Sequence, residues 1–260
     1  MCGRLVVSEP DLSVFVEPLE VGHIDAVLLD QWQARFNLAP TQLAPLVTNE
    51  PERRLTLAQF GLVPHWTKQQ KQSSGRLINA RVEGVATSRA FASALVARRG
   101  VVPVTGYFEW QTVAGKRLPI FIHATHGEPL FLASLWDRWH AADGRVTQSF
   151  SVITRPSLGE LAAIHSRMPL TLSAQDVGAW LAPEQRSAEQ LSSLLHAVPD
   201  VGRLALRPVS PLANSPRNDG PECIVAADHH APSAAVLQTP QLLLFGPTPD
   251  ADHSQARRTR

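Results

Sequence analysis

The chain has 260 residues, of which 44% are hydrophobic and 18% charged, and its formal net charge is +1 at pH 7. This length and composition predict a globular chain with a buried core, and the near-zero charge means that nucleic acid would need a local basic patch. The two cysteines exclude a disulfide framework, no Cys and His spacing matches a zinc site, and no segment predicts a transmembrane helix or signal peptide. We therefore expect a cytoplasmic protein that needs no metal and has no membrane partner.

The predicted elements are mostly strands. Apolar, β-branched segments bounded by turn residues indicate strands, whereas a capping residue ahead of a helical apolar period indicates a helix. In chain order they are a strand at 3–8, a helix at 11–19, a strand at 54–63, a helix at 88–99, strands at 101–110, 119–123, 129–136 and 148–154, and helices at 173–181 and 187–198. Because successive strands lack long helices between them, we predict an α+β fold: a curved antiparallel sheet or open β-barrel with peripheral helices.

The composition changes near residue 229. From there to residue 260 the chain is rich in Pro, Ala, Thr, Asp and His, with one apolar segment at 242–245. A segment of this composition cannot bury enough apolar surface to order itself. We therefore predict one catalytic domain at 1–228 and a mostly disordered tail at 229–260.

The chain begins Met1-Cys2-Gly3-Arg4. A small residue after the initiator methionine allows that methionine to be removed, which would leave Cys2 with both an α-amino group and a thiol. The amine condenses with an aldehyde to a Schiff base, and the thiol then closes a five-membered thiazolidine ring. An α-amino group has a pKa of about 7.7, so a useful fraction is neutral at pH 7. The alternative is that Cys2 is an ordinary solvated residue.

Three further polar segments interrupt the apolar strands: INARVE at 78–83, VTGYFEW at 104–110 and AIHSRMPL at 163–170. Glu109 lies within an aromatic strand, where it is either half of a structural ion pair or a general acid that keeps its proton near neutral pH. His165 by itself is equally an ordinary core or surface histidine. Asn79, Arg81 and Arg167 are, singly, typical of turns and surfaces.

Together with RFNLAPTQ (35–42), FGLVPHW (60–66), LASLW (132–136) and VSPLANSPRND (209–219), these segments resemble the SRAP (SOS-response-associated peptidase) family, whose members crosslink to abasic sites. The resemblance covers roughly residues 2–225. It implies that Met1 is removed by the protein itself and that Cys2 forms a thiazolidine with an abasic site in single-stranded DNA. It further implies that Glu109 moves protons, that His165 acts on the sugar and in reversal, that Asn79 positions Cys2, and that no cofactor is needed.

The same resemblance implies a DNA-binding surface and association with the nucleoid. Guanidinium groups match phosphate oxygens, so the arginines are expected to clamp the backbone, and an aromatic ring can stack on a base beside the lesion. An ordinary core tryptophan is the alternative for the ring, and Pro40 is expected to shape the pocket wall. The expected DNA contacts are Arg4, Trp66, Arg81, Arg89, Thr154 and Arg167.

Two other functions stay open from the sequence. One is a peptidase or amidohydrolase in which the Cys2 thiol attacks a carbonyl and His165 activates it, and the other is a non-catalytic single-strand binding module. In the tail, residues 241–245, from Gln241 to Phe245, resemble the peptide by which bacterial proteins dock on the replicative sliding clamp. The alternative is that this apolar segment packs back on the domain.

Overall fold

The structure is a computed structural model, and it describes residues 2–25, 28, 31–68 and 75–227. Met1 and the predicted tail, including Gln241 and Phe245, lie outside the described residues. The strands are β1 (Leu5–Val7), β2 (His23–Ile24), β3 (Arg35–Leu38), β4 (Leu43–Thr48), β5 (Arg54–Phe60), β6 (Asn79–Arg81), β7 (Arg99–Val104), β8 (Gly106–Val113), β9 (Lys116–Ala124), β10 (Leu130–His140), β11 (Val146–Pro156), β12 (Arg167–Pro169), β13 (Thr171–Leu172) and β14 (Leu204–Pro208). The α-helices are α1 (Ala92–Ala97), α2 (Leu161–Ile164), α3 (Ala174–Trp180) and α4 (Ser192–Leu195), and 3₁₀ turns occupy Leu12–Phe15, Val201–Arg203, Pro211–Asn214 and Pro221–Ile224.

Five strands close into a barrel in the order β11-β10-β7-β4-β5. Neighbours in this order pair antiparallel, and a short parallel contact between β5 and β11, which pairs Phe60 with Phe150, closes the ring. The rings of these two residues stack 5.3 Å apart at the closure. β2, β6, β12 and β13 add to the barrel strands at their outer ends. The predicted α+β class with a curved, barrel-like sheet is confirmed.

A second, five-stranded sheet has the order β14-β9-β8-β1-β3 and is antiparallel throughout. β1 pairs with β8 so that Leu5 lies opposite Tyr107. Continuing that register places Gly3 opposite Glu109. The N-terminal segment is therefore held beside the strand that carries the predicted acid.

The predicted strand 101–110 is wrong in one respect, because it is two strands in two sheets. β7 ends at Val104 in the barrel, and β8 starts at Gly106 in the second sheet. At the crossing, the backbone N–H of Thr105 donates to the Val6 carbonyl at 2.8 Å. A Cβ on Gly106 would lie 2.4 Å from the Ile122 carbonyl oxygen, so only glycine fits where the strand changes sheets.

Three of the four predicted helices are shorter than expected. The segment 11–19 holds only the 3₁₀ turn Leu12–Phe15, capped by Asp11, because Pro18 has no N–H to continue a helix. The segments 88–99 and 187–198 reduce to α1 and α4. The fourth, 173–181, is confirmed as α3, with the Ser173 hydroxyl accepting from the Asp176 N–H at 3.2 Å.

Arg99, predicted to end a helix, instead begins β7 and is fully buried. Burial lowers its pKa to about 10. Its guanidinium donates to backbone carbonyls on both sides, those of Leu95, Val96, Trp180, Ala182 and Glu184. The side chain thus ties α1 and the end of α3 to the barrel.

Within the described residues, the longest apolar helices fall well short of what crossing a membrane requires.

Candidate active site

A cleft of about 550 Å³ opens between the five-stranded sheet and the barrel. The sheet contributes Glu109 and the residues around it, and the barrel side contributes His165 from the loop between α2 and β12. These two residues are far apart in sequence, yet they line the same cavity. The full lining is Gly3, Arg4, Pro40, Ile78, Glu109, Trp110, Arg117, His165 and Asn214.

Cys2 is fully buried beside this cleft. The Asn79 side-chain amide donates to the Cys2 carbonyl at 3.0 Å, and Asn79 is itself held at the start of β6, which pairs parallel with β11. The other amide atom, Asn79 Oδ1, is buried and accepts no hydrogen bond from the described residues. Burial, and next the charge of Glu109, raise the pKa of the Cys2 thiol far above its usual value. The sulfur is therefore protonated at neutral pH and needs a base before it can react.

Glu109 lies on β8 between β1 and β9 and is only 3% exposed. Burial raises the pKa of its carboxyl, and the nearby His165 and Arg117 oppose that rise. Its Oε1 lies 3.9 Å from His165 Nδ1. A carboxyl of this kind can hold a proton at a higher pH than an exposed glutamate and then release it to a reacting group.

His165 follows α2 directly, in an extended conformation with φ −151° and ψ 146°. α2 packs on β8, which brings the imidazole to the acid. The backbone N–H of Arg167 donates to Nδ1 at 3.0 Å, which holds the ring in place. The side chain is 31% exposed and reaches the open part of the cleft. The buried carboxyl of Glu109 and the half-buried imidazole of His165 are thus neighbours in the cleft.

Trp66 and Arg89, two of the expected DNA contacts, meet at the surface. Trp66 is 45% exposed, which makes the alternative of a core tryptophan wrong. The Arg89 guanidinium lies 4.6 Å from the centre of the Trp66 ring. A cation held over an exposed ring offers one charge for phosphate and one face for a base.

Arg81, Thr154 and Arg167 form a second group on the barrel side. Arg81 is exposed on β6, and Thr154 is its register partner on β11. Thr154 is fully buried, and its carbonyl and hydroxyl oxygens accept from Arg167. Arg167 also makes a bidentate pair with Glu83, at 2.5 and 3.0 Å. Thr154 therefore positions Arg167, and Arg167 already has an anionic partner.

Arg4 lies on the other side of the cleft and is partly committed to the fold. It donates to Asn37 Oδ1 at 2.8 Å and to the Ala213 carbonyl at 3.1 Å. Asn37 in turn donates to carbonyls of the late segment, and Asp219 accepts from the backbone of β3 and from Arg35. This network holds the segment around Pro211–Asn214 against the site.

Several residues of the cleft region were not predicted as site residues. Trp110 donates to Asn214 Oδ1 at 2.6 Å, and the Arg117 guanidinium lies 5.2 Å from the Trp110 ring centre. Tyr107, the single tyrosine, is buried on the same strand face as Glu109, and its hydroxyl has no hydrogen-bond partner in the described residues. Trp110 and Tyr107 had a signal in the aromatic motif around Glu109. Arg117 had no such signal in the sequence, because it begins a strand after an ordinary polar hairpin turn.

Known proteins resemble this chain over most of its length. The family described as SOS response associated peptidase (SRAP) matches residues 1–216. The "Abasic site processing protein YoqW" of Bacillus subtilis (strain 168) is 30% identical over 86% of this chain and 99% of its own length, and the "Abasic site processing protein YoaM" of the same organism is 29% identical over 88% and 100%. A crystal structure of a protein from Bacteroides thetaiotaomicron, 21% identical, superposes with a TM-score of 0.75 over 87% of this chain and 100% of that one, so the fold is shared.

Proposed function

The chain belongs to the SOS response associated peptidase (SRAP) family, and from that premise we propose that it processes abasic sites by linking Cys2 covalently to them in single-stranded DNA. The proposal requires that Met1 be removed first, so that Cys2 carries a free amine. The observation that supports it most is that Cys2, held by Asn79, lies beside the cleft that Glu109 and His165 line. The names of the curated relatives given above support the class of substrate.

In the first step, the Cys2 amine attacks C1′ of the ring-opened sugar and forms a C–N bond. The resulting carbinolamine loses water to become a protonated imine, whose nitrogen keeps one hydrogen, and that loss needs a proton donor. Glu109 fits this role because burial raises the pKa of its carboxyl. The proton leaves with the departing hydroxyl as water, and Glu109 is left as a carboxylate.

In the second step, the Cys2 sulfur adds to the imine carbon and closes the thiazolidine. The thiol starts protonated, since burial raises its pKa. The Glu109 carboxylate left by the first step can take that proton, and the imine nitrogen ends with one proton as an amine. Asn79 holds the Cys2 carbonyl and has a free buried acceptor for the amine or a sugar hydroxyl. His165, at the open side, is placed to assist hydrolysis and reversal.

The alternative of a cysteine peptidase or amidohydrolase has less support. That chemistry needs a thiolate at the outset, which burial of Cys2 disfavours, whereas in the proposed reaction the Glu109 carboxylate left by the first step takes the thiol proton. Self-removal of Met1 stays part of the proposal as a single preparatory cleavage.

The sliding clamp as a partner of the tail also stays a prediction. A pull-down with purified clamp would test it by comparing wild type with a variant carrying Gln241→Ala and Phe245→Ala.

A denaturing gel tests the proposal. Purified protein is incubated with single-stranded DNA carrying an abasic site, or a tetrahydrofuran analogue that has no aldehyde, and a heat-stable shifted band is scored. We expect the band for wild type with the aldehyde DNA alone and none for Cys2→Ala. Cys223→Ala, which removes the other buried cysteine, is the matched control and should crosslink normally.

Two results would contradict the proposal. One is a Cys2→Ala protein that crosslinks as well as wild type, which would place the nucleophile elsewhere. The other is an intact mass that still includes Met1 in protein that crosslinks, since the amine would then be blocked. His165→Ala adds a finer test: after crosslinking, transfer to excess unlabelled abasic DNA should be slower than in wild type.

A further inference from the structure

Two arginines flank one tryptophan at the rim of the cleft on the side of the five-stranded sheet. The guanidinium of Arg4 lies 5.6 Å from the ring centre of Trp110, and that of Arg117 lies 5.2 Å from it. The ring cannot turn freely, because its N–H donates to Asn214 Oδ1 at 2.6 Å. All four residues line the cleft that holds Glu109.

This cluster carries positive charge without an acidic partner. Neither Arg4 nor Arg117 forms an ion pair with any residue that the structure describes. Arg4 donates to neutral oxygens, whereas the guanidinium of the exposed Arg117 lies over the indole. Burial, and next the like charge of Arg117, lower the pKa of Arg4. Two cations held together in this way form a site for an anion.

The cluster and the Trp66–Arg89 pair belong to different parts of the fold. Trp110 and Arg117 belong to β8 and β9 of the five-stranded sheet. Trp66 follows β5 of the barrel, where its neighbour His65 is bound to Asp137 of β10 at 2.9 Å. Glu109 and His165 lie between the two sheets. A single strand whose lesion sits at Cys2 would therefore leave the site past both clusters.

We propose that Arg117, supported by Trp110 and Arg4, binds a backbone phosphate of the DNA on one flank of the lesion, while Trp66 and Arg89 bind the other flank. The proposal rests on the proposed function for the position of the lesion. A phosphate is the ligand that fits, because the planar guanidinium of Arg117 offers two parallel N–H donors to phosphate oxygens. The Trp110 indole holds that guanidinium in a fixed plane. The cluster adds binding along the strand without reading its sequence.

Non-covalent binding to tetrahydrofuran DNA tests this without the crosslinking step. Three oligonucleotides are compared: one with nucleotides on both sides of the analogue, one with the 5′ flank alone and one with the 3′ flank alone. Arg117→Gln should weaken binding about 3- to 10-fold on the two-flank DNA and on one of the single-flank DNAs only. Arg89→Gln should weaken binding on the other. Lys116→Gln, which removes a neighbouring exposed cation outside the cleft, is the matched control and should bind as wild type.

The salt dependence separates a phosphate contact from a structural effect. Losing one phosphate contact should reduce the slope of log K against log salt by about 0.7 for single-stranded DNA. Arg117→Lys, which keeps the charge, should retain the slope while losing part of the affinity. Equal losses on both single-flank DNAs, an unchanged slope, or no difference between Arg117→Gln and Lys116→Gln would each overturn the inference. If the wild-type protein did not crosslink to aldehyde DNA, the proposed function would be refuted. The binding measurements on tetrahydrofuran DNA would still test the phosphate contact, because they do not depend on crosslinking.

Discussion

The two sides of the cleft hold their chemical groups in opposite ways. The five-stranded sheet supplies Glu109 from the middle of a paired strand, where it is 3% exposed, whereas the barrel side supplies His165 from a loop, where its side chain is 31% exposed. A strand buried between neighbours raises the pKa of a carboxyl and keeps it in place. A loop after a short helix gives an imidazole access to water and to a bound sugar. Under the proposed function, the sheet side would store the proton and the barrel side would exchange with solvent.

The arginines differ between the same two sides. On the barrel side Arg167 is paired with Glu83, which is charged because Arg167 lowers the pKa of that carboxyl. On the sheet side Arg117 has an aromatic ring beside it and forms no ion pair among the described residues. A paired arginine gains less from a phosphate than an unpaired one, because it must give up or share its partner. The arginines on the two sides of the cleft therefore differ in how readily they can bind a phosphate.

The largest expected effect comes from removing the stored proton. Glu109→Gln keeps the shape of the side chain but cannot donate or accept a proton, so we expect crosslinking to slow by about 10²- to 10⁴-fold. A quenched time course on a denaturing gel measures it. Glu17→Gln, which changes an exposed glutamate outside the cleft, is the control for the substitution itself. A Glu109→Gln rate within a factor of two of wild type would remove the acid from the mechanism.

Trp66→Ala should have the next largest effect, this time on binding. Base stacking on an aromatic ring is worth about 1–3 kcal/mol, so affinity for single-stranded DNA should fall by about 5- to 150-fold. Fluorescence anisotropy with tetrahydrofuran DNA measures the loss. Trp66→Phe keeps a stacking face and should recover most of it. If alanine and phenylalanine bind alike, the exposed ring is not a base platform.

Glu83→Gln tests the paired arginine. Freed from its partner, Arg167 should gain affinity for phosphate by an amount similar to an exposed ion pair, about 0.2–1 kcal/mol. Binding to single-stranded DNA should therefore tighten at low salt, and the gain should shrink as salt rises. Arg167→Gln together with Glu83→Gln should abolish the gain. Weaker binding by Glu83→Gln alone would mean that Glu83 orients Arg167 for DNA.

The smallest effect is on stability, and it depends on pH. The folded state raises the pKa of Glu109 above its ordinary value of 4.5, so folding takes up a proton between those two values. Stability of the wild type should consequently fall as pH rises through the raised pKa. Glu109→Gln lacks this titration, so its Tm advantage over wild type should appear above that pKa and vanish below 4.5. Thermal melts from pH 4 to 8 would show it, and a parallel pair of curves would contradict the buried-acid account.

The sequence by itself determined the fold class, seven of the fourteen strands in the described residues, the Ser173 cap of α3 and the family. These depend on local patterns: an apolar alternation, a capping hydroxyl, a motif of neighbouring residues. The roles of Cys2, Asn79, Glu109 and His165 stay predictions, although the structure brings all four together. The structure also explains why the motifs at 35–37 and 209–219 occur together, since they form hydrogen bonds with each other.

Only the tertiary structure decided where the strand at 101–110 changes sheets, how the barrel closes, and which arginines have acidic partners. Each of these depends on contacts between residues distant in sequence, as between Arg4 and Ala213 or Arg167 and Glu83. A sequence pattern reports the period and charge of a segment, but not which other segment packs against it. Arg117 looks like any hairpin arginine until the fold places it on Trp110 at the rim of the cleft.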